Sequence, residues 1–105
     1  MPECPEYNVV FSETADSDLM DIVEYLSNFS PNIAYRYYDE IMVKAYSLSS
    51  MPQRCPLVQD STLHKKGYRW VSVRNYTIFF VIDEPNRIVD IRAIMYSRRE
   101  YTALL

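Results

Sequence analysis

A chain of 105 residues has the length of one domain, and it can bury a core without metal or disulfide staples. Its net charge of −3 excludes nucleic-acid binding by bulk electrostatics and leaves only a local basic patch. No run of ~18 apolar residues and no basic-then-apolar leader occurs, so neither a membrane span nor a signal peptide is expected.

Tyr7 to Phe11, β-branched and aromatic, predicts a first strand. Ser12 suits a helix N-cap, and Glu13, Asp16 and Asp18 suit the positive end of a helix dipole. Ala15, Leu19, Ile22, Val23 and Leu26 recur at helical spacing, which predicts a helix over about 13–28. Ser30-Pro31 is a cap followed by proline at the first helical position. Ala34, Tyr37, Tyr38, Ile41, Ala45 and Leu48 then form the stripe of a second helix, about 31–49, which Met51-Pro52 ends. The short link between them predicts an antiparallel helical hairpin.

Residues 52–66 read as loop. Three strands follow at about 68–74, 76–82 and 87–96, separated by a tight turn at Arg74-Asn75 and a longer one at Asp83 to Asn86. Strict alternation places Val71, Val73, Tyr76, Ile78, Phe80, Ile82, Val89, Ile91, Ala93 and Met95 on a core face under the helices. It places Trp70, Ser72, Thr77, Phe79, Val81, Asp90, Arg92, Ile94 and Tyr96 on an opposite face, expected to stand open and concave. The fold class is α+β: a strand, a helical hairpin, then a three-stranded antiparallel meander that the first strand joins at one edge.

Basic residues gather in 65–74 (Lys65, Lys66, Arg69, Arg74) and 87–99 (Arg87, Arg92, Arg98, Arg99), while acidic residues concentrate before position 41. Cys4 and Cys55 stand beside prolines without metal-ligand spacing and read as free thiols of a cytoplasmic protein. No cofactor and no metal are expected. The carboxylates of the first helix read as a solvated face.

The order and spacing of several segments resemble the RelE/ParE toxins of bacterial type II toxin–antitoxin pairs. These are Ser12-x-x-Ala15-x-x-Asp18-Leu19, the Tyr-rich second helix, Met51-Pro52, Tyr68-Arg69-x-Val71-x-Val73, Asn75-Tyr76-x-Ile78-Phe79-Phe80 and Ile91-x-x-Ile94-x-Tyr96-Ser-Arg-Arg-Glu-Tyr101. The resemblance implies a toxin of a plasmid-stabilisation module that inhibits growth and is held by a cognate antitoxin. Its RelE-like branch implies ribosome-dependent mRNA cleavage by Lys and Arg on the open sheet face. Here those positions fall on Trp70, Ser72 and Thr77. Arg92, Tyr96, Arg98, Arg99 and Tyr101 remain as catalytic candidates if the chain is an enzyme. The ParE-like branch, whose members poison DNA gyrase, is the closer likeness through Arg69-x-x-x-Val73, Asn75-Tyr76-x-Ile78 and the closing Arg98-Arg99. Phe79-Phe80 and the acidity of the chain depart from that pattern. A non-toxic interaction protein that keeps the fold is a third reading.

Trp70, Phe79, Arg92, Ile94 and Tyr96 are the residues expected to bind the antitoxin, since aromatic residues flanked by Arg suit an interface core. Their alternative is a satellite hydrophobic cluster. Arg98 and Arg99 either contact a phosphate or a target protein, or form a solvated strand end beside Glu100. His64, alone in a loop, reads as a surface residue rather than a general base. Tyr35, Met42 and Tyr46 lie off the core stripe of the second helix and read either as ordinary exposed apolar residues or as part of a partner surface. Oligomeric state is left open beyond a toxin–antitoxin assembly.

Overall fold

The computed structural model describes residues 6–98 and Leu105; Cys4, Arg99 and Tyr101 lie outside the described residues. In chain order the elements are β1 (Asn8–Phe11), α1 (Glu13–Ser27), α2 (Pro31–Ser47), a 3-10 turn (Pro52–Arg54), α3 (Ser61–Lys65), β2 (Arg69–Val73), β3 (Tyr76–Asp83) and β4 (Ile88–Tyr96). The sheet order is β1-β4-β3-β2. β2, β3 and β4 form the expected antiparallel meander, and β1 closes the β4 edge in parallel.

Both helix starts form as their caps dictate. Ser12 Oγ accepts from the Ala15 N–H at 3.1 Å, and Ser30 Oγ accepts from the Ile33 N–H at 3.3 Å with Pro31 opening the helix. Ala15, Leu19 and Ile22 of α1 and Ala34, Ile41 and Ala45 of α2 are buried, which is the periodic stripe. Each helix stops a residue or two short of its expected end, at Ser27 and Ser47. After α2 the chain tightens into i→i−3 bonds at Leu48, Ser49 and Ser50, then leaves the helix at Met51, whose φ is 49°.

The main core lies between helices and sheet. Phe80, Ile41, Leu48, Ile78, Ile91 and Val89 are its fully buried side chains, and Tyr7, Tyr76 and Cys55 border it. Burial raises the pKa of the Cys55 thiol.

Alternation fails at one place in β4. Phe79 pairs with Ala93 but Phe80 pairs with Ile91, so Arg92 is the extra residue of a β-bulge. Every side chain after it changes face. Ile94 therefore joins Ile78 in the core beneath the helices, and Tyr96 lies opposite Tyr76. Ala93 and Met95, expected in that core, instead pack with Phe79 on the other side of the sheet. The bulge is tied to α1. Ser12 donates its N–H to the Ile91 carbonyl at 2.9 Å and its hydroxyl to the Arg92 carbonyl at 3.2 Å. Asp18 Oδ2 accepts the Ile94 N–H at 3.0 Å.

The second sheet face is partly covered rather than open. Residues 52–66 hold α3, capped by Asp60 Oδ1 accepting from the Leu63 N–H at 3.1 Å. Val58 and Leu63 drop from this segment onto Tyr68, Phe79, Ala93 and Met95 to make a smaller core. Five helical residues with a single apolar anchor carry too short a period to read from sequence.

Two polar clusters fasten the ends. Arg74 in the β2–β3 turn grips Glu40 of α2 in a bidentate pair (2.7 and 2.8 Å). At the opposite end Tyr7 donates its hydroxyl to Glu84 at 2.8 Å, and Gln53 Nε2 donates to both Glu84 (2.8 Å) and Tyr7 (2.6 Å).

Three outcomes follow for stability. Asp18→Ala strands the Ile94 N–H and should cost ~1–3 kcal/mol in urea unfolding, while Asp18→Asn, which keeps an acceptor, should cost less. Phe79→Ala should cost ~3–5 kcal/mol, because its ring fills the smaller core rather than solvent-facing space. The donors Gln53 and Tyr7 hold the Glu84 carboxyl below its ordinary pKa. A depressed acid stabilises the fold above its unfolded pKa and loses that effect as pH falls through the folded one. The Tm gap between wild type and Glu84→Gln should therefore be open at neutral pH and narrow as pH falls below the ordinary carboxylate range.

Candidate functional site

The expected partner-binding residues divide between the two sides of the sheet. Trp70 on β2 is 38% exposed and borders a recess of about 390 Å³ with Pro56, Leu57, Thr77 and Ser97. Phe79 forms its floor at 4% exposure. Thr77 Oγ1 and Ser97 Oγ share a hydrogen bond of 2.9 Å at one rim. Ile94 is buried on the helix side, at 2% exposure. Tyr96 is also on that side, half exposed, with its ring edge-on to Tyr76 at 6.0 Å. The bulge is what separates these two from Trp70.

Arg92 stands at the bulge with its guanidinium 3.0 Å from Asp90 Oδ2. The Tyr68 hydroxyl and the Asp90 carboxylate both push its pKa up, so its charge is fixed and already answered by an acid. Arg98 is exposed just beyond β4. Arg99 and Tyr101 lie outside the described residues. His64 sits in α3, not in a loop, with Nδ1 3.1 Å from the Val58 carbonyl, where it fastens the segment over the smaller core. Among the described residues no group of three His, Cys, Asp or Glu could hold a metal. Among them, too, no helix is long and apolar enough to cross a membrane.

A larger groove, of about 630 Å³, opens on the helix side, and sequence reasoning did not find it. Asp18, Asp21 and Tyr25 of α1 form one wall; Tyr37 of α2, Tyr76 and Tyr96 form the rest of its aromatic surface. Tyr37, Tyr76 and Tyr96 meet edge to face in series, each centroid 6.0 Å from the next. Burial, then the neighbouring Tyr37, Tyr25 and Tyr96, raises the pKa of Tyr76 and keeps it a neutral phenol. The signal was the i, i+3, i+7 spacing of Asp18, Asp21 and Tyr25, but the strand parity needed to bring Tyr96 to it is broken by the bulge.

The outer side of the helical hairpin carries a second apolar surface. Tyr35 is 74% exposed and Tyr46 50%, with Met20, Phe29 and Val43 exposed alongside. Met42 is half buried, in a recess of about 340 Å³ with Phe11, Leu19 and Tyr38.

Comparison with known proteins agrees with this architecture. Similar solved structures include a chromosomal ParDE toxin–antitoxin system from P. aeruginosa, with a TM-score of 0.71 at 14% identity over 89% of this chain and 98% of that one. Another is the toxin–antitoxin complex RelBE2 from Mycobacterium tuberculosis, with a TM-score of 0.64 at 22% identity over 87% of this chain and 98% of that one. These likenesses concern the fold. No curated protein sequence matches the chain. The family model for the ParE toxin of the type II toxin–antitoxin system parDE matches residues 9–101, nearly the whole length of strand, hairpin and meander, and the chain therefore belongs to the ParE toxin family.

Proposed function

We propose that the chain is the toxin of a plasmid-stabilising type II pair, that it arrests growth by inhibiting DNA gyrase without nuclease chemistry, and that a cognate antitoxin neutralises it. The observation that carries the choice of mechanism is the middle of the second sheet face. Its cation, Arg92, is spent on Asp90, and Trp70, Ser72 and Thr77 hold neighbouring positions. Cleavage of a phosphodiester needs preorganised positive charge at the developing oxyanion. A guanidinium already paired with a carboxylate is a poor clamp for a second anion.

Supercoiling by purified gyrase, with the chain added, tests this directly. Loss of supercoiling with intact mRNA in a translating extract is the expected result. Codon-positioned cuts that disappear on changing Arg92 or Arg98 would establish the ribonuclease reading in its place.

Antitoxin contact is proposed for the accessible members of the aromatic set, Trp70 and Tyr96, with Arg92 at the rim. Phe79 and Ile94 support these from below rather than meeting the partner. Trp70→Ala should weaken the antitoxin complex by ~2 kcal/mol, measured by calorimetry. The Arg98→Ala/Arg99→Ala double substitution should relieve growth arrest while unfolding stability stays within ~1 kcal/mol, since Arg98 is exposed and surface charges add little to folding. Full arrest by the folded double variant would assign the two arginines to a solvated strand end.

A further inference from the structure

The helix-side groove has rings and carboxylates but, among the described residues, no Lys or Arg lines it. Its exposed chemistry is of one kind. Tyr25 and Tyr96 are 58% and 46% exposed, each with one ring contact already made, Tyr25 to Phe29 at 5.3 Å and Tyr96 to Tyr76 at 6.0 Å. Asp18 and Asp21, one helical turn apart, share the α1 face that carries Tyr25 one turn further on. Asp18 is also held at the groove floor by the Ile94 N–H. The negative face of a phenol ring attracts a cation within ~6 Å, and a nearby carboxylate adds to that attraction.

The same pairing of ring and acid occurs twice in the molecule, each time filled, once at the groove's own Tyr37. Arg74 lies over the Tyr37 ring at 5.0 Å while gripping Glu40. Arg87 lies over the Tyr7 ring at 4.3 Å, and the Tyr7 hydroxyl bonds to Glu84. In both, a planar guanidinium stacks on tyrosine and faces an acidic neighbourhood. The groove repeats the arrangement on a larger scale.

We propose that this groove is the receptor for an arginine side chain presented by a partner polypeptide. The guanidinium stacks between Tyr25 and Tyr96 and meets the Asp21 carboxylate, and the methylene stem covers the exposed edge of the groove. Arginine suits the site better than lysine because its flat, weakly hydrated head both stacks and hydrogen-bonds in its plane. The identity of the partner as the antitoxin rests on the toxin–antitoxin reading above; the chemistry of the groove does not.

The test is a titration of the isolated, isotope-labelled chain with N-acetyl-arginine amide, followed by NMR. N-acetyl-leucine amide and N-acetyl-glutamate amide serve as parallel probes. Saturable shifts at Asp21, Tyr25 and Tyr96 with the arginine amide alone are expected, and Asp21→Asn should weaken them about three- to fivefold. Asp21 lies on the exposed side of α1, so that variant should keep the dispersed spectrum of the parent. Equal shifts with the leucine amide, or none with the arginine amide at about 100 mM, well above the range expected of a single stacked and paired side chain, would overturn the proposal. The titration uses no antitoxin. If no antitoxin exists these shifts persist, whereas if the groove is wrong they vanish even where an antitoxin complex forms.

Discussion

The arrangement depends on how α1 is fastened to the bulge in β4. A helix can lie on a sheet in many registers when only apolar contacts position it. Here three hydrogen bonds, two from Ser12 and one accepted by Asp18, fix α1 against Ile91, Arg92 and Ile94. The Ser12 bonds continue the ladder from the last pair of β1, Phe11 with Ile91, into the helix start. One serine thus ends a strand, caps a helix and anchors the irregularity that divides β4. The sheet's two faces, the burial of Ile94 and the aromatic wall at Tyr96 all follow from it.

Asymmetry between the two faces is the main functional consequence. The helix side gains a groove walled by phenols and acids, while the other side is partly closed by a short lid over Phe79. What is left in solvent there is a shallow recess beside Trp70 and a neutralised guanidinium at Arg92. The chain's charge polarity has a structural form as well. Acids of α1 and α2 face outward, pair across to Arg74 or, at Asp18, hold the Ile94 N–H, and the basic residues of the strands are largely spent on local partners. Under the proposed gyrase-directed reading the chain meets a protein surface, for which apolar and aromatic area matters more than bulk positive charge.

Much of this was legible in the sequence. Both helices could be placed because each had a cap residue, a proline or acidic first turn, and a stripe of four or more apolar positions. The strands and their turns were legible from β-branched runs broken by Arg74-Asn75 and by Asp83 to Asn86. What alternation could not reveal was the extra residue at Arg92. A bulge formed by an ordinary Arg leaves no compositional mark, since neither Gly nor a turn residue is needed there. Its consequence spread to Ala93, Ile94, Met95 and Tyr96 together, because a shift of one residue inverts every later side chain. The lid escaped notice for a different reason: Val58 and Leu63 are five residues apart, and their role depends on Tyr68 and Phe79, which only the folded sheet brings near.

The parallel pairing of β1 with β4 bears on the order of events during synthesis. Asn8 to Phe11 emerge from the ribosome early, yet their partners Ile88 to Ile91 come some eighty residues later. At ~5–20 residues per second, several seconds separate the two strands. Helices and the β2–β3 hairpin have local contacts and can form in that interval, but the sheet cannot close and Ser12 cannot reach its acceptors on β4. Completion of the fold therefore waits until β4 has emerged. A nascent chain has no finished groove and no finished sheet edge, so a truncated product is left without the surfaces that a complete one presents.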